Sequence, residues 1–166
     1  MSEASRIVMG WSSLEEFIRA LEIRGELLRV GHPVDVRFEA GCIADRLVKM
    51  GGPAVVFDQP RLGDGSISRF PLAMNLFGTR ERTNLALGVN EPSEIGEMMV
   101  GLMKPDIGGI LKRPWTGIKL LRQGISMAPN KVSKGKCQQV RIDDPDVTKL
   151  PIPITWPDDG GPFMTL

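Results

Sequence analysis

The stretch SSLEEFIRALEIRGELLRV, residues 12–30, decides how the rest of the chain is interpreted. Either of its two opening serines can cap a helix, because a glutamate follows each of them three residues later, as in a capping box. Four apolar residues then recur on one helical face: Leu14, Phe17, Ile18 and Leu21. Gly25 ends the predicted helix, and the run ELLRV after it predicts a short strand. A helix followed directly by a strand predicts a mixed α/β fold.

The next part of the chain repeats this alternation. A second helix is predicted up to the glycine pair at residues 51–52, and its apolar stripe consists of Phe38, Cys42, Ile43, Leu47 and Met50. PAVVFD (53–58) predicts a buried strand, and PLAMNLF (71–77) predicts a further strand. The chain therefore contains the elements of a small sheet with helices beside it.

Two more helices are predicted before residue 103. Thr79 can cap a short helix that ends at Gly88, and Pro92 suits the first position of the next helix. The latter carries Ile95, Met98, Met99 and Leu102 on one face, followed by Met103, which favours core packing over an adaptable binding surface. Strands alternating with helices indicate an α/β (α+β) fold in which helices pack on a small sheet.

Composition divides the chain into three segments. Residues 12–103 form the predicted α/β domain. Residues 104–136 are a glycine- and proline-rich connection, in which only GIKLLRQ (117–123) has helical character. Basic residues dominate this connection: Lys104, Lys112, Arg113, Lys119, Arg122, Lys131, Lys134 and Lys136, against the acid Asp106. Residues 137–166 open with a predicted strand in KCQQVRI and reach PIPITWP, which its prolines keep extended.

Bulk composition excludes several classes of protein. With 42% apolar residues, 25% charged residues and a net charge of +1, the chain is globular rather than fibrous or disordered. A zinc site is excluded because His32 is the only histidine and Cys42 and Cys137 are far apart. Both thiols are expected to be buried and reduced. The sequence shows neither the pattern of a secretory signal nor an apolar run of membrane-spanning length, which predicts a cytoplasmic protein.

Local motifs do not by themselves specify a reaction. GDGSIS (63–68) lacks the third glycine of a dinucleotide fingerprint and is predicted to be a loop. The candidate acid–base residues are five aspartates near the end of the chain: Asp143, Asp144, Asp146, Asp158 and Asp159. They lie among prolines and glycines, so that turn capping is their predicted role. His32, which precedes a proline, is likewise predicted to be a turn residue.

The basic segment 104–136 leaves one non-enzymatic alternative open. Together with Trp115 it could bind an anionic partner, such as nucleic acid or a membrane surface, and the chain would then be an accessory module. Such binding would depend steeply on salt and would fall when Lys112, Arg113, Lys119 and Arg122 are neutralised. Because no nucleic-acid-binding motif accompanies the segment, a solvated connection or an internal contact with an acidic domain surface is favoured, and no nucleic acid is expected as a partner.

Five stretches, in their order along the chain, resemble the N-terminal portion of the UbiD family of decarboxylases. They are LEEFIRALEIRGELLRV (14–30), EAGCIADRLVKMGGPAVVFDQP (39–60), MNLFGTRERTNLALG (74–88), KCQQVRI (136–142) and DVTKLPIPITWPDDGGPFMTL (146–166). The resemblance covers residues 12–166 and is weakest after residue 60 and in the basic connection. It implies that residues 137–166 are the incomplete start of a split-barrel-like flavin-binding domain.

The resemblance also implies a reaction and its cofactors. UbiD enzymes use prenylated FMN with Mn²⁺, and often K⁺, to remove or add carbon dioxide on aromatic or α,β-unsaturated acids. The closest branch acts on polyprenyl-4-hydroxybenzoate in quinone biosynthesis, which implies a flavin prenyltransferase as supplier of the cofactor. A homo-oligomeric cytoplasmic enzyme is implied, peripheral to the membrane where its substrate is polyprenylated.

The family's site motifs do not occur in these residues. An N-x-G-x-Y-R-like segment, which in the family contacts cofactor phosphate and metal, comes after the position of Leu166, and the metal-binding glutamate and proton-transfer residues come later still. No catalytic, cofactor-binding or metal-binding residue is therefore assigned, and the chain alone is expected to be inactive. The expected partner is the missing C-terminal region of the same enzyme, which we favour, or a separate subunit.

Overall fold

A computed structural model describes residues 11–103 and 131–163, together with Trp115, Gly117, Ile118, Arg122, Ile125 and Pro129. The chain divides into two compact units, one formed by Met1–Gly88 with Pro145–Leu166 and the other by Val89–Asp144. The boundary after Gly88 lies before the predicted connection, residues 104–136. The boundary before Pro145 lies inside the last predicted segment, residues 137–166. The division at residues 103 and 136 stays a prediction.

The described residues of the first unit form two small sheets and three helices. Its helices are α1 (Leu14–Ile23), α2 (Glu39–Lys49) and α3 (Arg80–Leu87). Its strands are β1 (Leu27–Val30), β2 (Val34–Asp35), β3 (Ala54–Phe57), β4 (Pro60–Arg61) and β5 (Leu72–Met74), and Val147–Lys149 forms a 3₁₀ turn. One sheet has the order β1-β3-β5, with β1 parallel and β5 antiparallel to β3, and in the other β2 pairs parallel with β4. The predicted mixed α/β fold with a small sheet is confirmed.

The caps of α1 use both predicted serines. The Ser13 hydroxyl oxygen accepts the backbone N–H of Glu16, and the Glu16 carboxylate in turn accepts the backbone N–H of Ser12 at 2.9 Å. At the other end, the N–H of Glu26 bonds the carbonyl of Leu21 at 2.9 Å across Gly25, whose φ of 69° suits a glycine. Both ends of the predicted helix are confirmed.

Strand β3 is the centre of the core, because both of its faces are covered. Val55 and Phe57 pack in a cluster with the α2 residue Ala40, whereas Ala54 packs with Phe17 and Leu21 of α1. All four β3 residues are buried. The run AVVF thus lacks polar alternation because helices lie on both sides of the sheet.

The predicted stripe of α2 is confirmed at Ile43 and Leu47, which pack against the core, and is wrong at its other three residues. Ala40, Gly41 and Ala44 are the buried residues, with Ile43 and Leu47 partly buried beside them. The large residues of the predicted stripe at its two ends, Phe38 and Met50, are exposed, and so is Cys42. The helix approaches its neighbours through small residues, which a pattern of large apolar residues does not reveal. Cys137 is exposed too, so that the prediction of two buried thiols is wrong.

The second unit contains α4 (Ser93–Met103) and a 3₁₀ turn at Lys136–Gln138. The strand predicted in KCQQVRI is wrong: its first residues form that turn, and Val140 and Ile142 are exposed without strand pairing among the described residues. Met99 and Met103 are exposed rather than in a core. The helical turn predicted for residues 117–123 lies largely outside the described residues. Within the described part of the chain, no helix has the length and apolar character needed to cross a bilayer.

Candidate functional site

The first unit has an apolar cleft of about 700 Å³ beside strand β5. One wall is formed by residues 72–78, which comprise β5 and the turn after it, and the other by residues 150–153, with Phe163 beside them. Among the described residues that line the cleft, none carries a charge. In the described part of the chain β5 pairs only with β3, so its other edge is open towards further hydrogen bonding.

The turn after β5 is held by Asn75, which adopts a left-handed conformation with φ of 57°. Its Nδ2 donates to the carbonyl of Pro53 at 2.9 Å and thereby joins the end of β5 to the start of β3. Its Oδ1 lies so close to Gly78 that a Cβ at that position would collide with it. A side chain at position 78 would therefore displace the Asn75 amide that holds this wall of the cleft.

Arg82 of α3 also bonds the backbone just before β3. Its side chain is buried, and its Nη2 donates to the carbonyl of Gly52 at 3.0 Å. Its Nη1 lies 3.5 Å from the carboxylate of Glu26. Helix α3 also has the ends predicted for it, because Thr79 accepts the N–H of Arg82 and Gly88 is left-handed with φ of 69°. Asn75 and Arg82 together fix the base of the cleft wall to the residues before β3.

The opposite wall is held by an ion pair at the end of the 3₁₀ turn. Lys149 Nζ lies 3.0 Å from Asp64 Oδ2, and the Ser68 hydroxyl donates to the Lys149 carbonyl at 3.5 Å. The hydroxyl and backbone N–H of Ser66, and then Lys149, hold the pKa of Asp64 well below its usual range. The same ion pair raises the pKa of Lys149. These contacts attach residues 149–153 to the GDGSIS turn, which is the predicted loop.

The extended segment PIPITWP lies against β2 and α2. Ile154 donates its N–H to the carbonyl of Val36 at 3.1 Å and accepts the N–H of Phe38 at 2.8 Å, in a parallel bridge with Arg37. A Cβ on Gly41 would be 3.1 Å from the Cα of Thr155, so α2 and this segment are in close contact. The prediction of an extended segment is confirmed, and its pairing is limited to this one bridge in the described residues.

The five candidate aspartates do not come together in a catalytic group. Asp146 caps the 3₁₀ turn by accepting the N–H of Thr148 at 2.9 Å, and the hydroxyl of that threonine is the main reason that the pKa of Asp146 is lowered. Asp159 accepts the N–H groups of Thr155 and Trp156. For these two aspartates the predicted capping role is confirmed.

The remaining candidate residues lie on the surface. Asp143 pairs with Arg141 at 2.7 Å, with both side chains largely exposed, and Asp144 and Asp158 are exposed. His32 is exposed in a bend, as predicted for a turn residue. In the basic connection Arg122 is exposed, whereas Lys112, Arg113 and Lys119 lie outside the described residues.

The described residues do not fit the cofactors that the resemblance implies. In the described part of the chain, no three His, Cys, Asp or Glu side chains are grouped as ligands of a metal ion. The cleft offers no cation for the phosphate of a flavin nucleotide, because its described lining is uncharged. No step of a cofactor reaction is therefore derived from these residues.

Sequence patterns did not predict the cleft or the residues that shape it. Asn75, Gly78 and Arg82 lie in the stretch NLFGTRER, residues 75–82. The only signal for the site is that these residues directly follow the apolar residues of β5. Residues 150–153 were predicted to be extended, but nothing in their pattern indicated that they would lie opposite β5.

Two family models match the chain in order. Residues 18–99 match UbiD_N, the 3-octaprenyl-4-hydroxybenzoate carboxy-lyase N-terminal domain, and residues 130–166 match UbiD, the 3-octaprenyl-4-hydroxybenzoate carboxy-lyase Rift-related domain. Together they account for more than half of the chain. The first match begins within α1, and the second includes residues 150–153 and Phe163, which line the cleft.

Solved structures with some similarity include vanillic acid decarboxylase of Sedimentibacter hydroxybenzoicus in its open form, at 22% identity and a TM-score of 0.44. A second open-form structure of that enzyme, with truncated ShVdcD, matches at 21% identity and a TM-score of 0.46. Each match covers 57% of this chain and 20% of the other, so the matched part of this chain corresponds to about a fifth of the length of those chains.

Proposed function

The chain belongs to the UbiD family of carboxy-lyases, and from that membership we propose that it supplies the N-terminal domain, and the start of the next domain, of a non-oxidative decarboxylase. The observation that carries the proposal is the match of two models of one family, in the family's order, over residues 18–99 and 130–166. The substrates are aromatic or unsaturated acids, and the favoured one is a polyprenyl-4-hydroxybenzoate in quinone biosynthesis.

The proposed cofactors are prenylated FMN and Mn²⁺, with K⁺ in addition. When bound, the prenylated flavin supplies an electron sink for the loss of carbon dioxide. The described residues of this chain do not form its site, so their role is architectural: they build a rigid unit against which the flavin-binding domain packs. The chain alone is expected to be inactive and to need the C-terminal region of the same enzyme, or a partner subunit, to complete the site.

Further features of the complete enzyme follow from the same proposal. It assembles as a homo-oligomer, receives its cofactor from a flavin prenyltransferase, and is located in the cytoplasm, at the membrane surface where the substrate carries a polyprenyl chain. Its flavin-binding domain is a split barrel that begins within residues 137–166.

The first test is the mass of the native protein. An antibody raised against residues 12–103 should detect, in extracts of the source organism, a band several times heavier than the 18.2 kDa of this chain. A band at 18.2 kDa would instead require a separate partner subunit.

The second test is enzymatic. The heavier protein, produced together with a flavin prenyltransferase, should release carbon dioxide from a 3-polyprenyl-4-hydroxybenzoate, whereas the 166-residue chain produced in the same way should not. The absence of carbon dioxide release from any aromatic or unsaturated acid by the cofactor-loaded heavier protein would contradict the proposal.

A further inference from the structure

The chemistry of the cleft beside β5 restricts what it can bind. Its described lining contains no charged side chain, and Asn75 already donates its amide group to the backbone before β3. In the opposite wall Pro151 and Pro153 have no backbone N–H to offer. A carboxylate buried here would find no cationic side chain in the described lining, at a large cost in free energy, so the lining favours an uncharged and largely apolar ligand.

The size and the rim of the cleft fit a small ligand. Its volume of about 700 Å³ lies within the range of roughly 300 to 1,000 Å³ that is typical of small-molecule sites. Two phenylalanines of the lining, Phe77 and Phe163, are 58% and 57% exposed. Exposed aromatic rings that line an apolar cleft mark a surface that a ligand or another protein segment covers.

We propose that this cleft binds the unsaturated hydrocarbon chain of a polyprenylated aromatic acid, while the acid head lies outside it. The choice among apolar ligands rests on the proposed function, which supplies a substrate with such a chain. The N-terminal unit then contributes to substrate recognition as well as to architecture, because it holds the part of the substrate that does not react.

The other occupant to consider is a polypeptide strand paired with the open edge of β5. This edge is short, since β5 contains only the three residues Leu72–Met74. The two prolines of the facing wall would leave an inserted strand with few hydrogen bonds on that side. A hydrocarbon chain needs no such bonds, and the lining therefore favours it.

The probe is farnesol, an uncharged isoprenoid alcohol, and the comparison ligand is 4-hydroxybenzoate, which has the acid head and no chain. Each is titrated into the 166-residue chain, with binding followed by native mass spectrometry and calorimetry. Farnesol should bind saturably with one molecule per chain, and 4-hydroxybenzoate should not bind in the same range. No saturable binding of farnesol would overturn the inference.

Two variants locate the site. Phe163→Ser removes a ring from the cleft and should weaken farnesol binding by about tenfold. Phe70→Ser is the matched control, because Phe70 is 46% exposed and lies outside the described lining. Both variants should keep the unfolding temperature of the parent within a few degrees. Equal affinities of the two variants for farnesol would place the bound molecule elsewhere and overturn the inference.

A second pair of variants tests the same site in case Phe163→Ser fails to fold. Ile152→Glu places a carboxylate in the cleft and should abolish farnesol binding, whereas Val147→Glu, at a residue 62% exposed on the nearby turn, should leave it unchanged. Retained binding in Ile152→Glu would overturn the inference. The parent chain could instead form concentration-dependent dimers that farnesol does not dissociate and that Ile152→Glu abolishes. That result would also overturn the inference, because it would indicate a strand paired with β5.

The binding readout separates this inference from the proposed function. A complete enzyme that decarboxylates its acid, with a chain that does not bind farnesol, would leave the function intact and overturn the assignment of the cleft. Farnesol binding that Phe163→Ser weakens, in a protein that decarboxylates no acid, would leave the isoprenoid site standing and contradict the function.

Discussion

Phe17 is the residue whose burial ties α1 to the sheet. Its ring is 3% exposed and lies 5.4 Å from the Trp11 ring and 5.8 Å from the Phe77 ring, measured between centroids. Phe77 also lines the cleft, so Phe17 supports that wall from behind. The helical spacing of the first stretch predicted this burial, which shows how much a single apolar periodicity can determine. The burial that the same stripe predicts for Leu14 is wrong, because Leu14 is 57% exposed in the first turn of α1.

Replacement of Phe17 by alanine is expected to lower the free energy of unfolding by about 3 to 5 kcal/mol, because the ring leaves a cavity among well-packed neighbours. Urea unfolding followed by circular dichroism measures this loss. Ile23→Ala is the control, since Ile23 is 82% exposed and its truncation should change stability by less than about 0.5 kcal/mol. A loss below about 1 kcal/mol for Phe17→Ala would contradict its place in the core.

Gly78 is expected to resist even the smallest substitution. In Gly78→Ala the new Cβ would collide with Oδ1 of Asn75, which must move and release the carbonyl of Pro53. The expected loss is about 1 to 3 kcal/mol, the cost of a buried polar group left without its partner. Gly96→Ala in α4 is the matched control, because nothing lies within 4 Å of its Cβ position and alanine favours a helix. If Gly78→Ala unfolds at the same urea concentration as the parent, the close contact with Asn75 is absent.

Among the elements, those with local signals at both ends were predicted best. Helix α3 begins after Thr79 and ends before Gly88 as its sequence indicates, because a capping hydroxyl and a left-handed glycine act on their own turn of backbone. Strand β3 was likewise predicted, since four consecutive apolar residues require burial on both faces. These features depend on residues that are close together along the chain.

Elements whose form depends on distant neighbours were predicted less well. The predicted stripe of α2 consists of its large residues, whereas Gly41 is buried against Thr155 and Ala40 packs in the core beside Val55 and Phe57. In KCQQVRI, apolar residues such as Val140 and Ile142 indicated a strand, but a strand needs a partner to accept its backbone hydrogen bonds. Among the described residues that partner is absent, and a 3₁₀ turn forms at the start of the stretch.

The Asp64 carboxylate, which accepts hydrogen bonds from Ser66 and then pairs with Lys149, should make the stability of the first unit depend on pH. Folding lowers the pKa of Asp64, so its contribution to stability is present above its unfolded pKa of about 3.9 and is lost as the pH falls through the folded value. Asp64→Asn should therefore lower stability at pH 7 and have a smaller effect in strong acid. Urea unfolding from pH 2 to pH 7 measures the difference between parent and variant.

The control for this titration is Asp144→Asn, at an exposed aspartate of the second unit. It should give a stability difference that is small at every pH. A difference between parent and Asp64→Asn that stays constant from pH 2 to pH 7 would show that the ionised carboxylate does not stabilise the turn.

At the scale of the molecule, limited proteolysis should distinguish the first unit from the connection. Trypsin is expected to cut first within residues 105–136, where basic residues are frequent and apolar anchors are few. Residues 145–163 should then stay bound to the first unit, because the Lys149–Asp64 pair and the Ile154 bridge attach them to it. Size-exclusion chromatography of the cut protein, followed by mass spectrometry, tests whether the two pieces elute together.

Two outcomes would contradict this expectation. Early cleavage within α1 would mean that the first helix is not packed as the burial of Leu21 indicates. Separate elution of the piece containing residues 145–163 would mean that its contacts with the first unit are too weak to hold it without the connecting chain.

The sequence by itself determined the family, the mixed α/β class, and the helices and strands that have strong local signals. These depend on helix caps, on glycines with positive φ and on apolar periodicity. Such signals act over a few residues and can be recognised without knowing which distant residues they contact. The tertiary structure alone decided that residues 149–159 lie against the first unit, that α2 buries its small residues, and that an apolar cleft forms beside β5. The first and the third result from contacts between residues more than seventy positions apart, such as Asp64 with Lys149. The buried face of α2 results from the contact of Ala40 with the core around β3 and of Gly41 with Thr155, and no local pattern specifies such contacts.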